Sequence, residues 1–277
     1  MRSTRAVSII VSTYNQPDWL YLSLFALLHQ TIKDFEVVIA DDGSGPRSAD
    51  VVRALQPEFE GRLRHVWHAD KGFRKNIILN EAVRQASGDY LIFIDGDIIA
   101  REDFVANHLR LSSPGQFLSG GCLRLTEAVS SAITRDGVAS GDVFKMRFLR
   151  RIGQPWTSKF IKLVGFGRVS RMLDSVTPTR ATFNGMNSSM WRADFYRVNG
   201  FDERMAYGGC DREIGERLEN AAVTGRQCRY SLACLHLDHG RPYVRRDLMA
   251  ENLKIRRDVQ SRRLRWTEHG IADKLAA

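Results

Sequence analysis

The first hundred residues alternate short apolar, β-branched runs with stretches of helical periodicity, and few architectures accept that alternation. "AVSIIVS", "FEVVIA", "RLRHVWH" and "DYLIFID" read as four strands. Between and after them, Pro17 to Gln30 sets Leu20, Leu24, Leu27 and Leu28 on one helical face. "RSADVVRALQ", "KNIILNEAVRQAS" and "REDFVANHLRL" carry the same helical pattern. Strands apolar on both sides must be covered on both sides, so the expected fold class is α/β, with a mostly parallel central sheet and helices on each face. Ligands of such sheets bind beyond the carboxyl ends of the strands. Three polar clusters fall there: "STYN", "DDGS" and "DGD".

Composition narrows the partners. The 277 residues are 43% hydrophobic and 26% charged, as in a globular protein with a substantial core. The net charge of +9 gathers in "KMRFLRRIG", "RVSRM" and the tail from Arg245. Such a balance admits nucleic acid, an anionic membrane surface or phosphorylated small molecules. No apolar run approaches the ~20 residues of a bilayer span, and "MRSTRAVSIIVSTYN" lacks a signal-peptide cleavage site, so a cytoplasmic location is expected. Cys122, Cys210, Cys228 and Cys234 have no CxxC spacing and read as reduced thiols. Residues 123–180 lose the strand–helix alternation and mix aromatic, aliphatic and basic residues. They are expected to be helical, lying on a membrane surface or packed on the main body. Order resumes at "TFNGMNSSMW", continues through "YGGCDREIGERL" into a late strand in "QCRYSLACLHLDHG", and ends in a basic helical tail, 246–277.

Chemistry concentrates in these clusters. Asp95-Gly96-Asp97 closes a buried strand with two carboxylates, the ligands Mg²⁺ and Mn²⁺ prefer, although any turn can hold Asp and Gly. Asp41 and Asp42 face the same sheet edge; a carboxylate there can accept a nucleobase N–H, or simply close the turn. The loop with Asp70, Lys71, Gly72, Arg74 and Lys75 brings cations suited to a diphosphate. Asp211 opens a helix after two glycines, as a helix cap or as a general base. His236 and His239 offer imidazoles to a metal. With Cys228 and Cys234 they fit no standard zinc finger.

"VSIIVSTYNQPDWLYLSLFALLHQTIKDFEVVIADDGS" with "GDYLIFIDGD" resembles the nucleotide-binding half of the family 2 glycosyltransferases of GT-A fold. "FNGMNSSMWRADFYRVNGFDERMAYGGCDREIGERL" is similar to the acceptor-side segment of that group and of the β-1,4-galactosyltransferases. The resemblance implies one domain over 1–245: a nucleotide-sugar half (1–122), a basic insertion (123–180) and an acceptor and catalytic segment (181–245). It implies inverting transfer from a nucleotide sugar, usually a UDP-sugar, with Mn²⁺ or Mg²⁺. Asp42 would hold the uracil beside Asp41, with Ser12, Thr13 and Tyr14 lining the base and ribose pocket. Asp70, Arg74, Asp95, Gly96, Asn184 and Gly185 would complete the donor contacts. Asp95 and Asp97 would form the DxD motif, with His236, or alternately His239, as the later metal ligand. Asp211 would be the catalytic base, and Gly208, Gly209 and Cys210 would meet the acceptor. Cys210 stands where the family commonly has Glu, which leaves acceptor binding open.

The expected acceptor is a saccharide or lipid-linked hydroxyl in bacterial polysaccharide or lipopolysaccharide synthesis, with the protein peripheral on the inner face of the cytoplasmic membrane. A nucleotidyltransferase is the competing enzyme, but "STYNQPD" has none of the glycines of a phosphate loop. A nucleic-acid-binding module is the non-enzymatic alternative. The tail lacks interleaved aromatics apart from Trp266, so no nucleic-acid partner is expected.

Overall fold

In a computed structural model, which describes residues 7–164, 167–240 and 246–272, the four apolar runs lie side by side in one sheet. The ten strands among the described residues, in chain order, are β1 (Val7–Thr13), β2 (Glu36–Asp41), β3 (Leu63–Trp67), β4 (Tyr90–Asp95), β5 (Ile98–Ala100), β6 (Gln116–Ser119), β7 (Gly121–Arg124), β8 (Asn187–Trp191), β9 (Thr224–Gln227) and β10 (Ala233–His236). Seven form one sheet in the order β3-β2-β1-β4-β8-β6-β9. All seven residues of β1 are buried because β2 and β4 flank it, both parallel, and helices cover both faces. The mostly parallel sheet holds, with β8 as the exception, antiparallel to β4 and β6. β8 starts from the "FNGM" turn at the sheet's carboxyl edge and can only run back down.

Four early helices, α1 (Pro17–Leu28), α2 (Pro46–Leu55), α3 (Lys75–Gln85) and α4 (Phe104–Leu111), occupy the expected stretches. Proline opens α1 and α2, where its missing N–H costs no hydrogen bond. Leu20, Leu24 and Leu27 of α1 lie in the core with Ile9, Val37 and Ile92.

The second sheet, β5-β10-β7, was not expected. β5 and β7 are three and four residues long, too short to show a period. The late strand is also shorter than "QCRYSLACLHLDHG" implies. Gln227 ends β9, and β10 begins only at Ala233. The chain between is bent by Asp174, whose carboxylate accepts the N–H groups of Tyr230 and Ser231.

Five short helices follow β7: α5 (Glu127–Ser131), α6 (Arg135–Ala139), α7 (Met146–Arg151), α8 (Ile161–Val164) and α9 (Arg168–Val176). Val129, Val143, Leu149 and Phe160 form a core with Leu22 and Phe25 of α1 and with Leu235. This segment therefore packs on the main body.

Three more helices follow among the described residues: α10 (Arg192–Arg197), α11 (Cys210–Asn220) and α12 (Arg246–Ser261). Inside α11, Arg217 and Glu213 pair with no exposure at 2.6 Å, and Arg217 also donates to the Val198 and Gly200 carbonyls. The basic tail does not stand apart: Asn252 of α12 donates to the Ala206, Tyr207 and Gly208 carbonyls, and Arg256 pairs with Glu216. Gly208 and Gly209 have φ of +105° and +85°, and a Cβ on them would meet Met249 and Arg256 at 2.9 and 3.1 Å. Two glycines let α12 close over this loop. No described helix is long and apolar enough to cross a membrane.

Candidate active site

The carboxyl ends of β1, β2 and β4 open on a cavity of about 870 Å³. Its lining includes Ser12, Thr13, Tyr14, Asp42, Asp95, Gly96, Asp97, Asn184, Gly185, Gly208, Gly209, Cys210, Asp211, His236 and His239. Expected site residues from both ends of the chain thus meet in one space. Asp41, Asp70 and Arg74 are not in its wall.

The two acids after β2 divide their work. Asp41 is wholly buried; it accepts the Ser44 N–H at 2.7 Å and lies 2.9 Å from His65 Nε2, so it closes the turn. Asp42 looks into the cavity, 2.8 Å from His68 Nε2 and accepting the Arg74 N–H at 3.0 Å. Burial pushes its carboxyl above the ordinary range despite those two bonds. Arg74 thus meets Asp42 through its backbone, while its guanidinium is turned to the Ala69 carbonyl. Asp70 accepts the Tyr14 hydroxyl at 2.9 Å and orders that ring from outside.

The D-G-D turn separates its carboxylates equally clearly. Gly96 N–H donates to Ser12 O at 2.7 Å, and a Cβ there would come within 3.2 Å of Ser12 O and the Thr13 side chain. Asp95 is paired: its Oδ1 accepts the Ser12 hydroxyl and the Lys75 ammonium, each at 2.6 Å. Burial alone would raise Asp95 and depress Lys75, but their attraction prevails. Asp95 is held below the carboxylate range and Lys75 above the lysine range.

Asp97 instead meets the late histidines. β10 pairs antiparallel with β5 so that His236 lies opposite Ile98, and Leu237 N–H donates to Asp97 O at 2.9 Å. This register carries His236 Nε2 to 3.7 Å and His239 Nε2 to 2.7 Å from Asp97 Oδ2. One ligand atom from each of the three lies within 4.8 Å of the others. His236 and His239 are therefore companions at Asp97, not alternates, and Asp95 is outside the group. Each ring donates Nδ1–H to a backbone carbonyl at 2.8 Å, of Leu237 and of Gly240, which leaves Nε2 turned to the carboxylate. Backbone carbonyls orient metal-binding imidazoles in this way. Among the described residues Asp97 Oδ1 is buried without a hydrogen-bond partner, a cost that a cation would remove. The donor set fits a divalent metal.

Asp211 is the second residue of α11, not its cap, and Oδ2 accepts the Gly185 N–H at 3.2 Å. Burial, then the Asp211 charge, pushes the Cys210 thiol up to about 12. It remains neutral beside the carboxylate.

Several lining groups lay outside the expected site, Lys75, Arg124 and Met249 among them. Lys75 was legible only as a loop cation; it is the first residue of α3 and faces inward. Arg124 arrives because β7 pairs with β10 and sets it opposite His236. Met249 comes from α12.

The family model "Glycosyl transferase family 2" matches residues 8–116. Over 228 residues the chain is 31% identical to the validoxylamine A glucosyltransferase of Streptomyces hygroscopicus subsp. jinggangensis, covering 76% of this chain and 51% of that protein. The chain thus spans about half the length of the curated relatives it matches. Among solved structures, mannosyltransferase PcManGT of Pyrobaculum calidifontis, in complex with GDP-Man and Mn²⁺, superposes with a TM-score of 0.59 at 19% identity, over 94% of this chain and 63% of that one. S. aureus TarS 1-349, in complex with UDP-GlcNAc, gives 0.58 at 16% identity, over 86% and 60%. With strand order, cavity and these likenesses together, the chain belongs to the family 2 glycosyltransferases and has their GT-A fold.

Proposed function

We propose that this protein is an inverting, metal-dependent glycosyltransferase that moves a sugar from a UDP-sugar to a hydroxyl of a saccharide or lipid-linked acceptor. The observation that carries the reading is one cavity holding Asp42 after β2, the Asp97–His236–His239 group after β4 and β10, and Asp211 at the head of α11. Solved neighbours that hold UDP-GlcNAc or GDP-Man support a nucleotide-sugar donor. Residues 1–245 form the catalytic unit in this reading, with Met249 of α12 as an added wall.

Asp42, deep in the cavity, accepts the ring N–H of the uracil, and Tyr14, ordered by Asp70, lies against the nucleoside. Asp97, His236 and His239 would hold the metal, and two imidazoles would favour Mn²⁺ over Mg²⁺. When bound, that ion supplies Lewis-acid stabilisation of the diphosphate oxygens. Arg124 adds positive charge beside the same group. Asp211 takes the proton of the acceptor hydroxyl as its oxygen attacks the anomeric carbon. The new C–O bond forms as the bond to the diphosphate breaks, with nucleoside diphosphate leaving on the opposite side. A neutral Cys210 spares Asp211 a second negative charge where the family commonly has Glu. The proposed setting is bacterial polysaccharide or lipopolysaccharide synthesis at the inner face of the cytoplasmic membrane.

Asp211→Asn tests the assignment. Transfer from the best UDP-sugar should fall about 10²–10⁴-fold, the usual contribution of a general base, while UDP affinity with Mn²⁺ stays within about twofold. Equal loss of transfer and UDP binding would sink the role of Asp211. UDP binding that ignores Mn²⁺ would remove the metal from the mechanism.

A further inference from the structure

Helix α9 is mounted with its polar side inward. Ser170 is 1% exposed, and the Asp174 carboxylate accepts Tyr230 and Ser231 N–H at 2.9 and 3.1 Å. The apolar stripe faces out: Val169, Met172 and Val176, spaced for one helical face, are 52%, 59% and 66% exposed. A helix on a globular protein ordinarily buries such a stripe, so the inversion calls for a covering partner. Earlier in the same segment Trp156 is 68% exposed, its ring against that of Phe160.

Charge decides which partner fits. Residues 145–176 contain eight Lys or Arg and one acid, Asp174, and that acid is turned inward. Arg168 and Arg171 are exposed beside the stripe, with no ion pair among the described residues. A second copy meeting this face by twofold symmetry would oppose the same cations to themselves. An anionic bilayer satisfies both features, accepting apolar side chains and Trp at the headgroup boundary and attracting each flanking cation.

We propose that α9 docks the protein on anionic lipid, with Val169, Met172 and Val176 at the headgroup–acyl boundary and Arg168 and Arg171 against lipid phosphates. The proposal stands on this face alone and does not depend on the transfer reaction, because binding is read without donor or acceptor.

The test is co-sedimentation with vesicles of phosphatidylglycerol and phosphatidylcholine, against phosphatidylcholine alone, at low and high salt. Wild type should bind the mixed vesicles and release in salt, and bind phosphatidylcholine at least about tenfold more weakly. Val169→Ser/Met172→Ser/Val176→Ser should lose about tenfold or more in vesicle affinity, and Arg168→Gln/Arg171→Gln a similar factor. Thermal unfolding and UDP binding of the variants should match wild type, which separates lost docking from lost folding. No binding to mixed vesicles, or full binding by the triple serine variant, would overturn the proposal. So would self-association of wild type that the serine variant abolishes without any vesicle binding, which would assign the face to a second copy.

Discussion

Removing the Lys75 ammonium isolates the electrostatics on which the D-G-D turn depends. Lys75 and Asp95 are 2.6 Å apart, with side chains 22% and 26% exposed. Exposed pairs contribute under about 1 kcal/mol, whereas stripping one partner from a fully buried pair costs about 3–5 kcal/mol. A pair about one-quarter exposed lies between, so Lys75→Met should cost about 2 kcal/mol. With a urea slope of about 3 kcal/mol/M, the midpoint should fall by roughly 0.7 M. Asp95→Asn in the same background removes the stranded charge, so the double variant should cost about 1–2 kcal/mol less than the sum of the singles.

The pH dependence has a definite sign. In wild type the Asp95 pKa is held below its unfolded value, so its contribution is present at neutral pH and is lost as pH falls through the folded pKa. In Lys75→Met, burial dominates and raises the pKa, so protonation on acidification stabilises the variant. The gap between the two proteins should therefore narrow from pH 7 to pH 4 in parallel urea titrations monitored by circular dichroism. A gap that is absent at pH 7, additive with Asp95→Asn, or constant with pH would refute the reasoning.

Two further outcomes are open to direct measurement. His236→Ala and His239→Ala should each weaken Mn²⁺ binding by about tenfold or more in calorimetry without nucleotide, since both rings face Asp97; loss from only one would reduce the site to a single imidazole. Burial pushes the wholly buried His108 down to about 3, so the unfolded chain binds its proton first and folding weakens as pH falls below about 6.5. His108→Gln should remove roughly 2–3 kcal/mol of the wild-type stability loss between pH 7.5 and pH 4.5, and an unchanged pH profile would contradict a neutral His108.

Much of this was legible in the chain itself. β1 and β4 are continuous apolar runs because they lie in mid-sheet, and burial on both faces leaves no room for a polar alternation. Chain order then puts their carboxyl ends, and the clusters after them, on one edge. Local pattern carries that information because strand direction and burial are local properties.

The partners of each charge were decided elsewhere. Asp41 and Asp42 are neighbours in sequence, yet one turns to Ser44 and the other to the cavity. Asp95 and Asp97 flank one glycine, but Lys75 neutralises the first, while the β10–β5 register brings two imidazoles to the second. The outward stripe of α9 depends on where Asp174 finds its N–H donors, 56 residues away at Tyr230. Local pattern alone specified the α/β class, the shared edge and the residue types gathered there. Only tertiary structure decided which carboxylate is paired, which remains open for a cation and which helix face meets solvent. Those outcomes depend on register and desolvation between segments far apart in the chain, and no local pattern encodes them.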